Sequence, residues 1–140
     1  MDYREVTGDR EFFLTLAQGT DWHEEIATFA AERDVATAWF VGSGAVEDAA
    51  VGIYDQDDFE ERTVSFAEPL EVPICVGSVT RTDGEPSVSA SVTLARPSGQ
   101  ALAGRLLDAT VFSGECYLRT FEETIDRRRD EATGRRVLSV

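Results

Sequence analysis

Polar and apolar residues alternate without a break through residues 85–95, EPSVSASVTLA. Ser87, Ser89, Ser91 and Thr93 share one parity, and Val88, Ala90, Val92 and Leu94 the other. Successive side chains of a strand point to opposite faces, so this run predicts a strand with one greasy side and one side made only of hydroxyls. The hydroxyl side either meets water, as half-buried antiparallel strands commonly do, or lines a site. Nearer the N-terminus the period changes. Trp22, Ile26, Phe29 and Ala30 recur at helical intervals, which predicts a helix over 22–33 laying one apolar stripe on a sheet. Thr20 or Asp21 can cap it, and Asp21 with Glu24 has the spacing of a capping box.

The rest of the chain reads as strands and short turns. REFFLTLAQGTDW gives a strand over 12–16 and a turn at Gly19. ATAWFVGSGAVEDAAVGIYD gives two strands about a bend at Gly42 and Gly44, the second ending at Tyr54. RTVSFAEPLEVPICVGSV gives two strand segments, with Pro69 and Pro73 marking an edge or a bulge. Asp83-Gly84 is a hairpin signal, RPSGQ a turn, and DATVFSGECYLRTF a last strand. One main helix among many strands predicts an α+β domain: a twisted, mainly antiparallel β-sheet with the helix packed on it. The regular strand–helix alternation of a doubly wound nucleotide fold is missing.

Length and charge narrow the possibilities. At 140 residues the chain fits a single domain over 1–140, and no apolar run approaches the roughly 20 residues that span a bilayer. The N-terminus, MDYREVTGDR, is charged and lacks a signal core, so the expected location is the cytoplasm. Twenty-seven acidic residues against 13 basic ones give a net charge of -14, and every basic residue is arginine. Acidic surplus without lysine suits concentrated salt, which points to a salt-loving source. A GC-rich genome would account for the missing lysine but not for the acidic excess.

The same surplus opposes phosphate backbones, whose binding depends on cations. Arg127, Arg128, Arg129, Arg135 and Arg136 do cluster, but Asp126, Asp130 and Glu131 are interleaved with them. A solvated or subunit-contacting tail is therefore expected over a nucleic-acid arm. Cys75 and Cys116 lie far apart in apolar runs and read as buried free thiols. VGSGAVEDA lacks the third glycine, the lysine and the following helix of a phosphate loop. Ser43 has no adjacent base, and His23, the only histidine, makes neither a triad nor a metal centre alone.

The segments FVGSGAVEDAAVGIYD, EPLEVPICVGSVTRTDGEPSVSASV and LAGRLLDATVFSGECYLRTFEE follow the DWHEEIATFAAERDV helix. In that order they resemble the plant and prokaryote conserved domain, abbreviated PPC or PCC. That domain stands alone in archaea and bacteria and is fused to AT-hook segments in plants. The resemblance covers residues 5–123 and leaves 124–140 as a charged C-terminal tail. It implies a PPC-type fold similar to that of a zinc-dependent acetolactate decarboxylase, a homotrimer, and pockets near subunit boundaries. Many prokaryotic members carry two histidines one residue apart in the segment matching SVSASV, and a third after the glycine of the segment matching AGRL. Here those positions are Ser89, Ser91 and Arg105, and Glu71 matches an acidic position common in the family.

The resemblance thus implies a pocket walled by the hydroxyl face, with its imidazoles replaced. Hydroxyls are poor zinc ligands and a guanidinium repels a cation, so neither a metal nor another cofactor is expected. Arg105 beside Ser89 and Ser91 can take a small carboxylate or phosphate through a forked contact, or Glu71 neutralises it internally. The expected role is a non-catalytic binding or regulatory module. Prokaryotic members carry a DNA-binding label by analogy with the plant fusions, yet TGRRV lacks the proline of an AT-hook core. The alternatives are a protein-assembly subunit, or a metal-independent lyase or hydrolase using Glu71 or Cys75 as its acid or base.

Overall fold

The helix starts where its cap puts it. In the computed structural model, which describes residues 1–140, α1 spans Trp22–Glu32. One carboxylate oxygen of Asp21 accepts the Glu24 backbone N–H at 2.9 Å, and the other accepts that of Ala109 at the same distance, so the cap also ties the helix to the sheet. His23 donates through Nε2 to the Val88 carbonyl at 2.9 Å, a packing role for the one histidine.

Eight strands complete the chain: β1 (Gly8–Leu16), β2 (Ala38–Asp55), β3 (Glu60–Phe66), β4 (Leu70–Thr82), β5 (Glu85–Ala95), β6 (Ala101–Phe121), β7 (Asp126–Arg129) and β8 (Arg136–Ser139). Their order is β3-β2-β6-β5-β4-β7-β8, with β1 on β6, and every pairing is antiparallel except β4 with β7. This is the mainly antiparallel sheet with one helix that the sequence predicts. β2 also pairs with β4, so β2, β6, β5 and β4 form a closed circuit around the core. Val79, Val88, Leu94, Val111 and Leu118 point into it, together with Trp22 and Ile26 of the helix.

The predicted bend at Gly42 and Gly44 is instead a bulge inside one continuous strand. Pairing with β4 shifts register between these glycines, while β6 stays paired on the other side. A Cβ on Gly44 would stand 2.1 Å from the Ser113 carbonyl oxygen, so only glycine lets the two backbones approach there. Pro73 lies opposite this bulge, where β4 also slips against β5. Asp83 and Gly84 both have positive φ, 52° and 84°, as a two-residue hairpin turn demands.

Residues 124–140 are not a loose tail. β7 joins the edge of β4 at Arg81↔Asp126 and Thr82↔Arg127, and β8 folds back on β7. Between them the turn reaches the β2–β3 hairpin: Tyr54 donates its hydroxyl to the Thr133 carbonyl at 2.7 Å, and the Arg135 guanidinium lies 5.0 Å from the Tyr54 ring centre. The edge of β4 offers unpaired backbone groups, and satisfying them outweighs the solvation that favours a free charged run. No helix is long and apolar enough to cross a membrane.

Candidate functional site

Register decides which side chains share the outside of the circuit. One row runs Phe13–Tyr117–Val41–Val76–Ser91–Arg105–Gly52–Thr63, and the next runs Glu11–Arg119–Trp39–Ser78–Ser89. Directly paired residues on one face have Cβ atoms about 4.5–5.5 Å apart. Ser91 is therefore the immediate neighbour of Arg105, and Ser89 of Ser78. The hydroxyl parity of β5 faces outward and is continued by Ser78 and Thr80 of β4, both buried.

Three of the four predicted site residues are thus brought together, and Glu71 is not. It lies toward the other end of β4, opposite Ala45 and Ala95, in a depression of about 640 Å³ that it shares with Phe112 and Ser113. The carboxylate that meets Arg105 is Glu61 of β3: Nε and Nη2 donate to its two oxygens at 2.6 Å each. Gly52 makes the contact possible, since a Cβ there would stand 2.4 Å from the Glu61 carboxyl carbon. Hydrogen bonds from Arg105, helped more weakly by the charge of Arg135, hold the Glu61 carboxyl below its ordinary range. The same hydrogen bonds push Arg105 upward.

Arg127 is the residue that sequence reasoning missed. It donates Nε–H to Thr80 Oγ1 at 3.1 Å, Nη2–H to Ser78 Oγ at 3.0 Å and Nη1–H to the Arg136 carbonyl at 3.2 Å. It makes no ion pair, and burial lowers its pKa. Thr82 Oγ1 lies on the same face two residues past Thr80, buried and without a hydrogen-bond partner. The available signal was the short strand DRRR, a turn closing at Gly134 and the strand RVLS, a hairpin hidden beneath its charges.

Burial pushes the thiols of Cys75 and Cys116 up to about 12, with the nearness of Cys116 adding to the effect on Cys75, so Cys75 supplies no thiolate near neutral pH. No three His, Cys, Asp or Glu side chains gather in a group fit to hold a metal ion. A zinc ion does not fit two alcohols beside a guanidinium.

At the opposite end the first row is apolar, while the second carries Trp39 and then the exposed ion pair Arg119–Glu11. Phe13 is 89% exposed and Trp39 52%. Phe13, Val41, Pro73, Ile74 and Tyr117 line a depression of about 500 Å³.

Residues 3–122 match the family of the Plants and Prokaryotes Conserved (PCC) domain. The chain belongs to the PCC family. A metal-containing protein from Archaeoglobus fulgidus shares 30% identity and a TM-score of 0.94 over the full length of both chains. A Ralstonia eutropha JMP134 protein described as a "putative DNA-binding protein" shares 26% identity at a TM-score of 0.81, with 91% of this chain and 90% of that one covered. A Staphylococcus aureus protein of unknown function similar to alpha-acetolactate decarboxylase aligns at 14% identity and a TM-score of 0.57, over 86% of this chain and 55% of that one. That last likeness concerns the fold alone, and it is the one the sequence predicts. No curated protein matches the chain. The PCC match stops at Glu122, so the hairpin that carries Arg127 lies beyond it.

Proposed function

We propose that this PCC chain is a non-catalytic binding or regulatory module that works as a homotrimer and offers a metal-free pocket, built on its outer face, to a small carboxylate or phosphate. The observation that carries this proposal is the shared outer face of Ser89, Ser91 and Arg105: its hydroxyls suit an oxyanion and its guanidinium repels a metal ion, while the Glu61 carboxylate already balances that guanidinium and leaves the charge for an anion to another group on the face. Glu71 stands apart and Cys75 is a buried high-pKa thiol, which leaves a lyase or hydrolase without an acid–base pair.

Assembly is favoured by the apolar end of the face. Exposed Phe13, Trp39 and Ile74 would be covered by a further copy of the chain. The DNA-binding description of the Ralstonia protein does not carry over as direct contact here. With a net charge of -14, and with Arg10, Arg62, Arg96, Arg105, Arg119 and Arg136 each paired with a carboxylate, the charge balance of the chain opposes a phosphate backbone. The acidic surplus suits a cytoplasm rich in salt.

Light scattering after size exclusion in concentrated KCl tests assembly: three chains per particle are expected, and a monomer would overturn this part of the proposal. Elemental analysis of the same particle is expected to find no stoichiometric zinc, and one zinc per chain would refute the metal-free pocket.

A further inference from the structure

Two arginines flank the hydroxyl face, and only one is neutralised within the chain. Arg105 is engaged twice by Glu61, whereas Arg127 is held by two alcohols and a carbonyl. Of the five N–H groups of a guanidinium, three are used here and two remain. Ser78 and Thr80 receive hydrogen bonds from Arg127, so their own O–H groups are free to donate, and a hydroxyl that accepts from a cation donates more strongly. Ser89 stands opposite Ser78 and Ser87 opposite Thr80, adding further alcohols. Thr82 Oγ1 is an unpartnered buried oxygen on the same side. Glu85, across from Thr82, is a carboxylate on this face, and it is exposed and makes no ion pair with Arg127. The local inventory is one unneutralised cation and a set of donors, with the exposed Glu85 carboxylate at the margin beside Thr82, and an acceptor-rich anion completes the cation and donors where a cation does not.

We infer that Arg127, with Ser78, Thr80 and Ser89, forms an oxyanion site in which the C-terminal hairpin supplies the charge and the sheet supplies the hydroxyls. This inference rests on the proposal that the outer face takes a small oxyanion, and it assigns the anchoring charge to Arg127 instead of Arg105. Carboxylate and phosphate share the required chemistry: negative oxygens spaced to accept from neighbouring N–H and O–H groups. The site also makes ligand binding and hairpin docking interdependent, because the anion and Arg127 stabilise each other's position against Ser78 and Thr80.

The test is calorimetric titration of the full-length protein with inorganic phosphate and, separately, with acetate. KCl is adjusted to constant ionic strength, so that general stabilisation of an acidic protein by salt is not mistaken for binding. Arg127→Gln retains a hydrogen-bonding side chain without charge and is expected to weaken binding at least tenfold, while Arg105→Gln leaves it within about threefold, as expected when a single charge-assisted contact carries the site. Ser89→Ala serves as a second variant that leaves the hairpin untouched, with a smaller loss expected. Amide exchange at Arg128 and Val137 reports whether the hairpin stays docked in Arg127→Gln. Loss of binding in Arg105→Gln with wild-type affinity in Arg127→Gln would overturn the assignment and leave the outer-face pocket standing. Absence of heat from both anions with the wild-type protein would remove the pocket and the assignment together.

Discussion

Arg105 and Arg127 stand at the two ends of one hydroxyl-bearing face, yet the fold treats their charges in opposite ways. Arg105 meets a carboxylate through two hydrogen bonds of 2.6 Å, which raise its pKa and lower that of Glu61. Arg127 meets only neutral oxygens, and burial lowers its pKa. The first pair is half-exposed, so its contribution to stability is small and salt-sensitive. The second sets a partly buried cation against two buried alcohols, where losing one acceptor costs more. A cation that is already balanced staples the sheet, whereas Arg127 keeps two N–H groups without a partner in the chain.

The largest effect should come from removing an acceptor of Arg127. Thr80→Val keeps the shape of a side chain only 2% exposed and strands the Nε–H above it, so a loss of about 1–3 kcal/mol is expected from urea unfolding at fixed salt and protein concentration. A loss indistinguishable from zero would mean that water replaces Thr80 freely.

Arg105→Ala should cost about 0.5–1 kcal/mol at neutral pH. The folded pKa of Glu61 lies below its ordinary 4.5, so the stabilisation is complete above that value and disappears as the pH falls through the lower folded one. The gap between wild type and Arg105→Ala should therefore close on acidification. A gap that ignores pH would show that the packing of Arg105, and not its charge, matters.

The smallest effect is expected at Gly52. Its added Cβ meets the end of a flexible Glu61 side chain, which can swing aside, so Gly52→Ala should cost under about 1 kcal/mol. In that background Glu61→Gln should cost nothing further, since the pair is already open. A double-mutant cycle that shows full additivity would contradict this coupling.

Local patterns carried much of this architecture. The cap at Asp21, the two-residue turn at Asp83-Gly84 and the parity of β5 all follow from neighbours a few positions apart, and each forms as the sequence predicts. What escaped prediction depends on partners distant along the chain. Gly42 and Gly44 look like a bend until β6 is laid beside them and holds the strand together. Glu61 is 44 positions from Arg105 and came into play only through Gly52, whereas Glu71 was the acidic residue that the family resemblance offered. Arg127 was hidden for a different reason. Its segment is dense in charge, which masks the alternation of a short hairpin, and the groups that hold it, Ser78 and Thr80, are 49 and 47 positions away.

The contact between Tyr54 and the β7–β8 turn bears on how such a protein can change its preferences. The appended hairpin is fastened at one sheet edge and at one aromatic ring, and few of its side chains enter the interior. Its sequence can therefore be rewritten with little penalty to the circuit of strands beneath. Arg127 is the exception: exchanging it changes the charge presented beside Ser78 and Thr80 and removes the donor from two buried hydroxyls, while the circuit of strands keeps its pairing.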